Sequence, residues 1–248
     1  MSLAQPSQSV AVTLPDGAVR TFERPVTALD VAAAISPGLA KDALVAEVDG
    51  ALVDLDRELS ADVALRFVRT RDPDALEVIR HDCAHVMAEA VQDLFPGTQV
   101  TIGPAIDDGF YYDFARNEPF SIDDLAQIEA RMAEIVRADR PFRRSEVGRE
   151  EARERFRSLG EQYKVELLDA IPEGEPVTLY HQGEWFDLCR GPHAPSTGRI
   201  GAFKLLKVAG AYWRGDHRNA QLQRIYGTAY ATQKELDAHL FRLEEAEI

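Results

Sequence analysis

At 248 residues the chain has room for one or two domains that each bury a core, and 45% hydrophobic with 28% charged residues is ordinary for a globular protein. No apolar run approaches a membrane span, residues 1–9 lack the apolar middle of a signal peptide, and two cysteines argue against a disulfide framework, so a cytoplasmic protein is expected. The net charge of −14 speaks against a nucleic-acid partner, yet residues 190–224 hold seven basic residues and one acid. Such a strip can track phosphates, or it can be a solvated sheet face with scattered cations.

Residues 9–69 read as a small unit. Short strands at 9–14 and 18–23 flank the turn Pro15-Asp16-Gly17. Thr27-x-x-Asp30 is a capping-box pattern ahead of Leu29, Val31, Ala32 and Ile35, predicting a helix of about two turns that Ser36-Pro37-Gly38 stops. Strands at 44–48, 51–53 and 63–67, with Asp49-Gly50 turning between the first two, complete a pattern that suggests a ubiquitin-like β-grasp. Residues 69–72 are the expected linker.

Next comes a helix with Asp72 as N-cap and Pro73 at its first position, ended by Pro96-Gly97. Leu76, Ile79, Cys83, Met87, Ala90 and Leu94 form its apolar stripe. At about 100° per residue, His81 and His85 fall roughly opposite that stripe, beside Asp74, Ala84, Ala88 and Gln92, which predicts an open groove. Strands at 98–102 and 110–114 follow, then a helix from Ser121-Ile-Asp-Asp124 to about 138. A strand near 142–147, a charged helix near 149–159, a hairpin of 177–180 with 185–188, strands at 203–212 and 222–226, and a final amphipathic helix over 233–247 complete the reading. The expected class is α+β, with a mostly antiparallel sheet after the β-grasp-like start. The expected domains are 1–69, 70–230 and a C-terminal helix at 231–248.

Two clusters carry chemistry: His81-Asp-Cys-Ala-His85, and Asp187-Leu-Cys189-Arg-Gly-Pro-His193. Two imidazoles one helical turn apart, with a thiol and an imidazole from a loop, match a tetrahedral zinc site, and Asp187 is available as a carboxylate behind it. The same groups can accept a proton from water or hold it without a metal, with a lysine or backbone donor stabilising an oxyanion. Cys189 is a conceivable nucleophile or a wall of a small pocket; Cys83 faces the apolar side.

The succession of His81-x3-His85, Ile102-Gly-Pro104, Gly109-Phe-Tyr-Tyr-Asp113, Tyr163-Lys164, Asp187-x-Cys-Arg-Gly-Pro-His193, Ala209-Gly-Ala-Tyr-Trp-Arg-Gly-Asp216 and Leu222-Gln-Arg-Ile-Tyr-Gly-Thr-Ala-Tyr230 closely resembles the N-terminal half of the bacterial threonyl-tRNA synthetase family. The resemblance runs nearly end to end: residues 9–69 are similar to its TGS domain and the rest to its editing domain with a following helix. That family charges tRNA with threonine and removes serine attached by mistake. The resemblance implies an editing pocket of His81, His85, Cys189 and His193, with Lys164 as a further catalytic group and Tyr112 and Asp187 at the seryl-adenosine end. It implies that editing needs no cofactor, because the family's established zinc lies in its separate aminoacylation domain; if zinc does bind here, His81, His85, Cys189 and His193 are its ligands. The implied partner is the tRNA(Thr) acceptor end carrying serine, with no membrane involved.

Nothing in the sequence resembles the family's ATP-binding aminoacylation core or its anticodon-binding domain. ATP and magnesium, and homodimer formation by the parent, are therefore expected of other domains. A piece of a longer synthetase is the expectation, ahead of a free-standing editing protein. Two other readings stay open: an alanyl-type, zinc-dependent editing domain with the same His and Cys scheme, and a non-catalytic RNA-binding protein built on the TGS module.

Overall fold

The computed structural model describes residues 8–248; of the stretch inspected for a signal peptide, residues 1–7 lie outside the described residues. The chain forms two compact units. The first extends to Ala75 and takes in Gly191–Pro195; the second comprises Leu76–Arg190 and Ser196–Ile248.

In the first unit, β1 (Ser9–Thr13) and β2 (Val19–Glu23) form the first hairpin. Helices α1 (Ala28–Ile35) and α2 (Pro37–Asp42) follow, then β3 (Ala43–Val48), β4 (Ala51–Asp54) and β5 (Val63–Arg69). The sheet order is β2-β1-β5-β3-β4, with β1 parallel to β5 and the other pairs antiparallel. Asp49 and Gly50 both take positive φ (48° and 86°), which a tight hairpin requires at its two central residues and which explains Asp-Gly there. Both halves of the Thr27/Asp30 capping box form, and each orphan amide so satisfied stabilises the helix start by about 1 kcal/mol. Val10, Val12, Ala28, Val31, Leu55 and Leu65 supply the core between helix and sheet.

Two boundaries differ from expectation. Ser36-Pro37-Gly38 ends α1 but also starts α2: the Ser36 hydroxyl accepts from the Leu39 amide, and Pro37 takes the first position, where its missing N–H costs nothing. The proposed linker begins inside a strand, because β5 runs to Arg69. The Asp72 carboxylate turns back to accept from the Arg69 amide at 2.7 Å instead of capping forward, so helix α3 starts at Ala75.

The second unit is built around α3 (Ala75–Leu94). Next come β6 (Gln99–Val100), β7 (Ala105–Ile106), β8 (Gly109–Ala115), α4 (Ile122–Ala138), β9 (Phe142–Val147), α5 (Arg149–Ser158) and α6 (Gln162–Ala170). They are followed by β10 (Val177–Gln182), β11 (Trp185–Leu188), β12 (Ala202–Tyr212), β13 (Gln221–Tyr230) and α7 (Gln233–Ala246). One sheet has the order β12-β13-β8-β6 with β7 also on β8; the other is β11-β10-β9; every pair is antiparallel. The α+β class therefore holds. On β8 and β13, Phe110, Tyr112, Phe114 and Ile225 share one buried face while Tyr111 and Tyr226 lie on the other, where Asp113 and Leu222 are buried as well. β12 is an edge strand with a bulge between Leu205 and Lys207, and the Glu129 carboxylate of α4 accepts from the Leu205 amide at 2.8 Å.

The open-groove expectation for α3 is not met. Ala84 and Ala88 are fully buried and His85 is 3% exposed, whereas Leu94, placed on the core stripe, is 37% exposed. The helix lies inside the unit and is held from several sides: Arg80 Nε donates to the Ala229 carbonyl of β13, Gln92 meets Trp185 of β11, and Asp93 pairs with Arg131 of α4. A helix covered all round has no polar face for periodicity to locate. α6 was not foreseen; it carries Lys164 in its first turn.

Candidate active site

Helical spacing on α3 stacks the His81 and His85 rings, with centroids 4.9 Å apart and planes 23° off parallel. Cys189 follows β11 directly. Its amide donates to the Thr178 carbonyl of β10, and the Thr178 hydroxyl donates back to the Cys189 carbonyl, so the thiol is held by the hairpin ladder. His81 Nε2 and Cys189 Sγ are 3.1 Å apart, hydrogen-bonding distance for a sulfur partner. The sequence thus placed two residues over a hundred positions apart in one site, and the structure joins them.

Deeper in the second unit, Lys164 is 2% exposed and its ammonium has three neighbours: Asp187 Oδ1 at 2.5 Å, the Thr101 carbonyl at 2.6 Å and the Tyr112 hydroxyl at 3.1 Å. Three acceptors match its three protons. The Tyr112 hydroxyl donates to Asp187 Oδ2 at 2.7 Å, and Asp187 Oδ1 also accepts from the Leu188 amide. Burial, reinforced by the Asp187 charge, holds the Tyr112 phenol well above its ordinary pKa, so it stays a donor. An isolated buried charge is costly; here ammonium and carboxylate satisfy each other and their remaining bonding positions. Asp187 also approaches the imidazoles, with Oδ2 3.8 Å from His85 Nδ1, and so links the two groups of residues.

Further residues surround His85, of which the sequence places only Gln92 on the histidines' face of the helix. The Trp185 ring meets it edge-on at 5.8 Å, and the Trp185 indole N–H donates to Gln92 Oε1 at 2.7 Å. Gln182 reaches the His85 carbonyl at 3.3 Å and Glu89 at 3.1 Å, while Arg140 pairs with the other oxygen of Glu89. Burial raises the pKa of both Glu89 and Glu161 despite the donors around them. Partners 69 to 97 residues apart leave no local sequence signal. His193 is buried and lies in the Gly191–Pro195 segment of the first unit, where its amide donates to Asp54 Oδ1 at 2.8 Å.

Several residues of the basic strip pair with carboxylates. Arg190 pairs with Glu175, Lys204 with Glu129, Arg218 with Asp216, and Arg224 forms a two-pronged pair with buried Asp113. Among the described residues no helix is long and apolar enough to cross a membrane.

Comparison with known proteins follows this division of the chain. Residues 10–68 match the TGS domain, and residues 177–226 match the threonyl and alanyl tRNA synthetase second additional domain. Threonine–tRNA ligase of Acidiphilium cryptum is 64% identical over 238 residues, covering 96% of this chain and 37% of the relative. The ligases of Gluconacetobacter diazotrophicus (63%) and Thiobacillus denitrificans (62%) also match over 96% of this chain, which covers 37% and 38% of their lengths. Over nearly its whole length the chain is similar to part of these threonine–tRNA ligases. It spans little more than a third of those relatives. The second of the two matched domains is one associated with editing. That match includes Asp187 and Cys189, whereas His81, His85, Tyr112 and Lys164 precede it in the chain.

Proposed function

We propose that the chain hydrolyses the ester joining serine to tRNA(Thr), the post-transfer editing step of its ligase family. The observation that carries this reading is the link, through Asp187, between the His81/His85/Cys189 cluster and the buried Lys164–Asp187–Tyr112 triad. A synthetic pocket built for threonine rejects the smaller serine by only about 10–200-fold, so a second, hydrolytic sieve is needed. That sieve must admit the hydroxymethyl side chain and clash with one further methyl group.

In the proposed reaction His81 takes a proton from a water as its oxygen attacks the ester carbonyl carbon. The C–O bond to the terminal ribose then breaks, and the ribose oxygen leaves as a hydroxyl with the proton that His81 took from the water. His85, beside the Asp187 carboxylate, holds the water with His81. Lys164 meets the developing oxyanion by releasing the Tyr112 hydroxyl, the longest of its three contacts. Tyr112 and Asp187 serve the seryl-adenosine end, fixed in advance by their mutual hydrogen bond. Cys189 shapes the wall beside His81, and His193, four residues further on, orients the ester.

Imidazole and thiolate are donors that zinc favours, so the residue types fit that ion. Bound zinc would be held by His81, His85, Cys189 and His193 and would supply a Lewis acid. Tetrahedral zinc spaces a sulfur and a nitrogen ligand by roughly 3.6 Å. The 3.1 Å between Cys189 and His81 matches a direct hydrogen bond, and metal-free hydrolysis is the reading proposed. The same reading assigns ATP, magnesium and homodimer formation to other parts of the ligase, and a cytoplasmic location to the activity.

The test is incubation of the chain with pre-charged Ser-tRNA(Thr), Thr-tRNA(Thr) and Ser-tRNA(Ala). Serine release from the first alone, undiminished after chelator treatment, is expected. Equal release from the last would point to the alanyl type. Unchanged release by a His81→Ala, Lys164→Ala double variant would move the chain to the non-catalytic class.

A further inference from the structure

A closed circuit of contacts joins the two proposed catalytic groups, and one side chain lies where its arms meet. From His85 the circuit passes edge-on to Trp185, then through the indole N–H to Gln92 Oε1. Gln92 Nε2 donates to Glu161 Oε1 at 2.5 Å and to the Thr98 carbonyl at 2.9 Å. Glu161 Oε2 accepts from the Val100 amide at 3.0 Å, and its backbone starts α6, three residues before Lys164. Lys164 returns to Asp187, and Asp187 to His85. Each catalytic group is therefore held twice, once by its approach to Asp187 and once by the longer arm through Gln92.

We propose that Gln92 is the positioning residue of this site: through Trp185 it sets the plane of the His85 ring, and through Glu161 it fixes the start of the helix that carries Lys164. The choice of an amide is chemically specific. Its oxygen accepts the indole proton while its nitrogen donates to a carboxylate and a carbonyl. A glutamate accepts from Trp185 but has no proton for Glu161, and a leucine of similar size makes neither contact. Both catalytic groups depend on the same small side chain, so its loss misaligns them together, at constant affinity for the tRNA.

This inference rests on the proposed deacylation, and the wild-type arm of its test separates the two. Serine release from Ser-tRNA(Thr) is measured for wild type, Gln92→Leu and Gln92→Glu between pH 5 and 8. Alongside, NMR follows the Trp185 indole N–H and the His85 ring. The expected result is a kcat lowered by roughly 10–100-fold in Gln92→Leu, with KM changed by less than about threefold. In Gln92→Glu the two adjacent carboxylates cannot both ionise easily. As pH falls they take up one proton, which restores the missing donor, so activity relative to wild type rises towards acid. The Trp185 and His85 signals shift in both variants at neutral pH. An active wild type with kcat unchanged in both variants overturns the positioning role, as does a lowered kcat with the His85 signal unmoved and no acid recovery. A wild type that releases no serine overturns the deacylase reading and this inference together.

Discussion

The two units bury their surfaces in opposite ways. Within residues 8–75 the interior is apolar side chains on an alternating sheet, and Asp54 is the one buried polar residue among them. The second unit buries Lys164, Asp187, Glu89, Glu161, Gln182 and His85 within the same interior that holds its aromatic residues. Apolar burial stabilises by roughly 25 cal/mol per Å² and asks for no partner geometry. Buried charges cost several kcal/mol each unless every bonding position is matched, and they are seldom a net source of stability. The first unit is thus built for folding, and the second gives up folding free energy to hold polar groups in fixed places. That is where chemistry is expected.

The sharpest way to break the contrast is at Lys164. Replacing it by methionine leaves Asp187 buried without its counter-charge; a loss of about 3–5 kcal/mol in unfolding free energy is expected, with serine release reduced at least ~100-fold. Adding Asp187→Asn should recover most of the stability in denaturant titration and none of the activity. Recovery of both would make the pair structural only. In the first unit, Leu65→Ala should cost about 2–5 kcal/mol by creating a cavity, while serine release per folded molecule stays at the wild-type level. A proportional loss of kcat would remove the distinction between the units.

The smallest expected effect is a slope. Burial raises the folded pKa of Glu161 above its ordinary value of 4.5, so the folded state binds the proton more tightly than the unfolded state. Its contribution to stability is complete below the unfolded value and lost as pH rises through the raised one. Glu161→Gln should therefore flatten that part of the stability curve above pH 4.5, read as melting temperature against pH. An unchanged slope would mean that Glu161 is already ionised at those pH values.

What the sequence made legible was local. The Thr27/Asp30 and Ser121/Asp124 capping boxes close within four residues, and both helices start where these patterns put them. The strand at 142–147 was read to the residue, because its flanking signals are its own. α3 misled because alanines at 84 and 88 look like a neutral outer face and are instead the places where other elements approach closely. α6 escaped because it is short, with no side-chain cap at its start and a weak apolar stripe. In the site, the spacing of His81 and His85 was visible, and the family resemblance pointed to Lys164, Asp187 and Tyr112. The roles of Gln92, Trp185 and Glu161 exist only through contacts between distant segments, so no window of sequence could show them.

The blunted edge of the second unit's larger sheet has a consequence for how the protein behaves at high concentration. An eleven-residue border strand presents a row of unused donors and acceptors to any passing chain. The bulge after Leu205 breaks the flatness that such pairing needs, and Glu129 occupies the one amide donor beside it. Lys207 lies at the same point, and a lysine on an edge strand disfavours pairing with a second copy. A carboxylate on a neighbouring helix thus takes up part of that border's unused bonding, and replacing Glu129 is expected to lower solubility before it lowers folding stability.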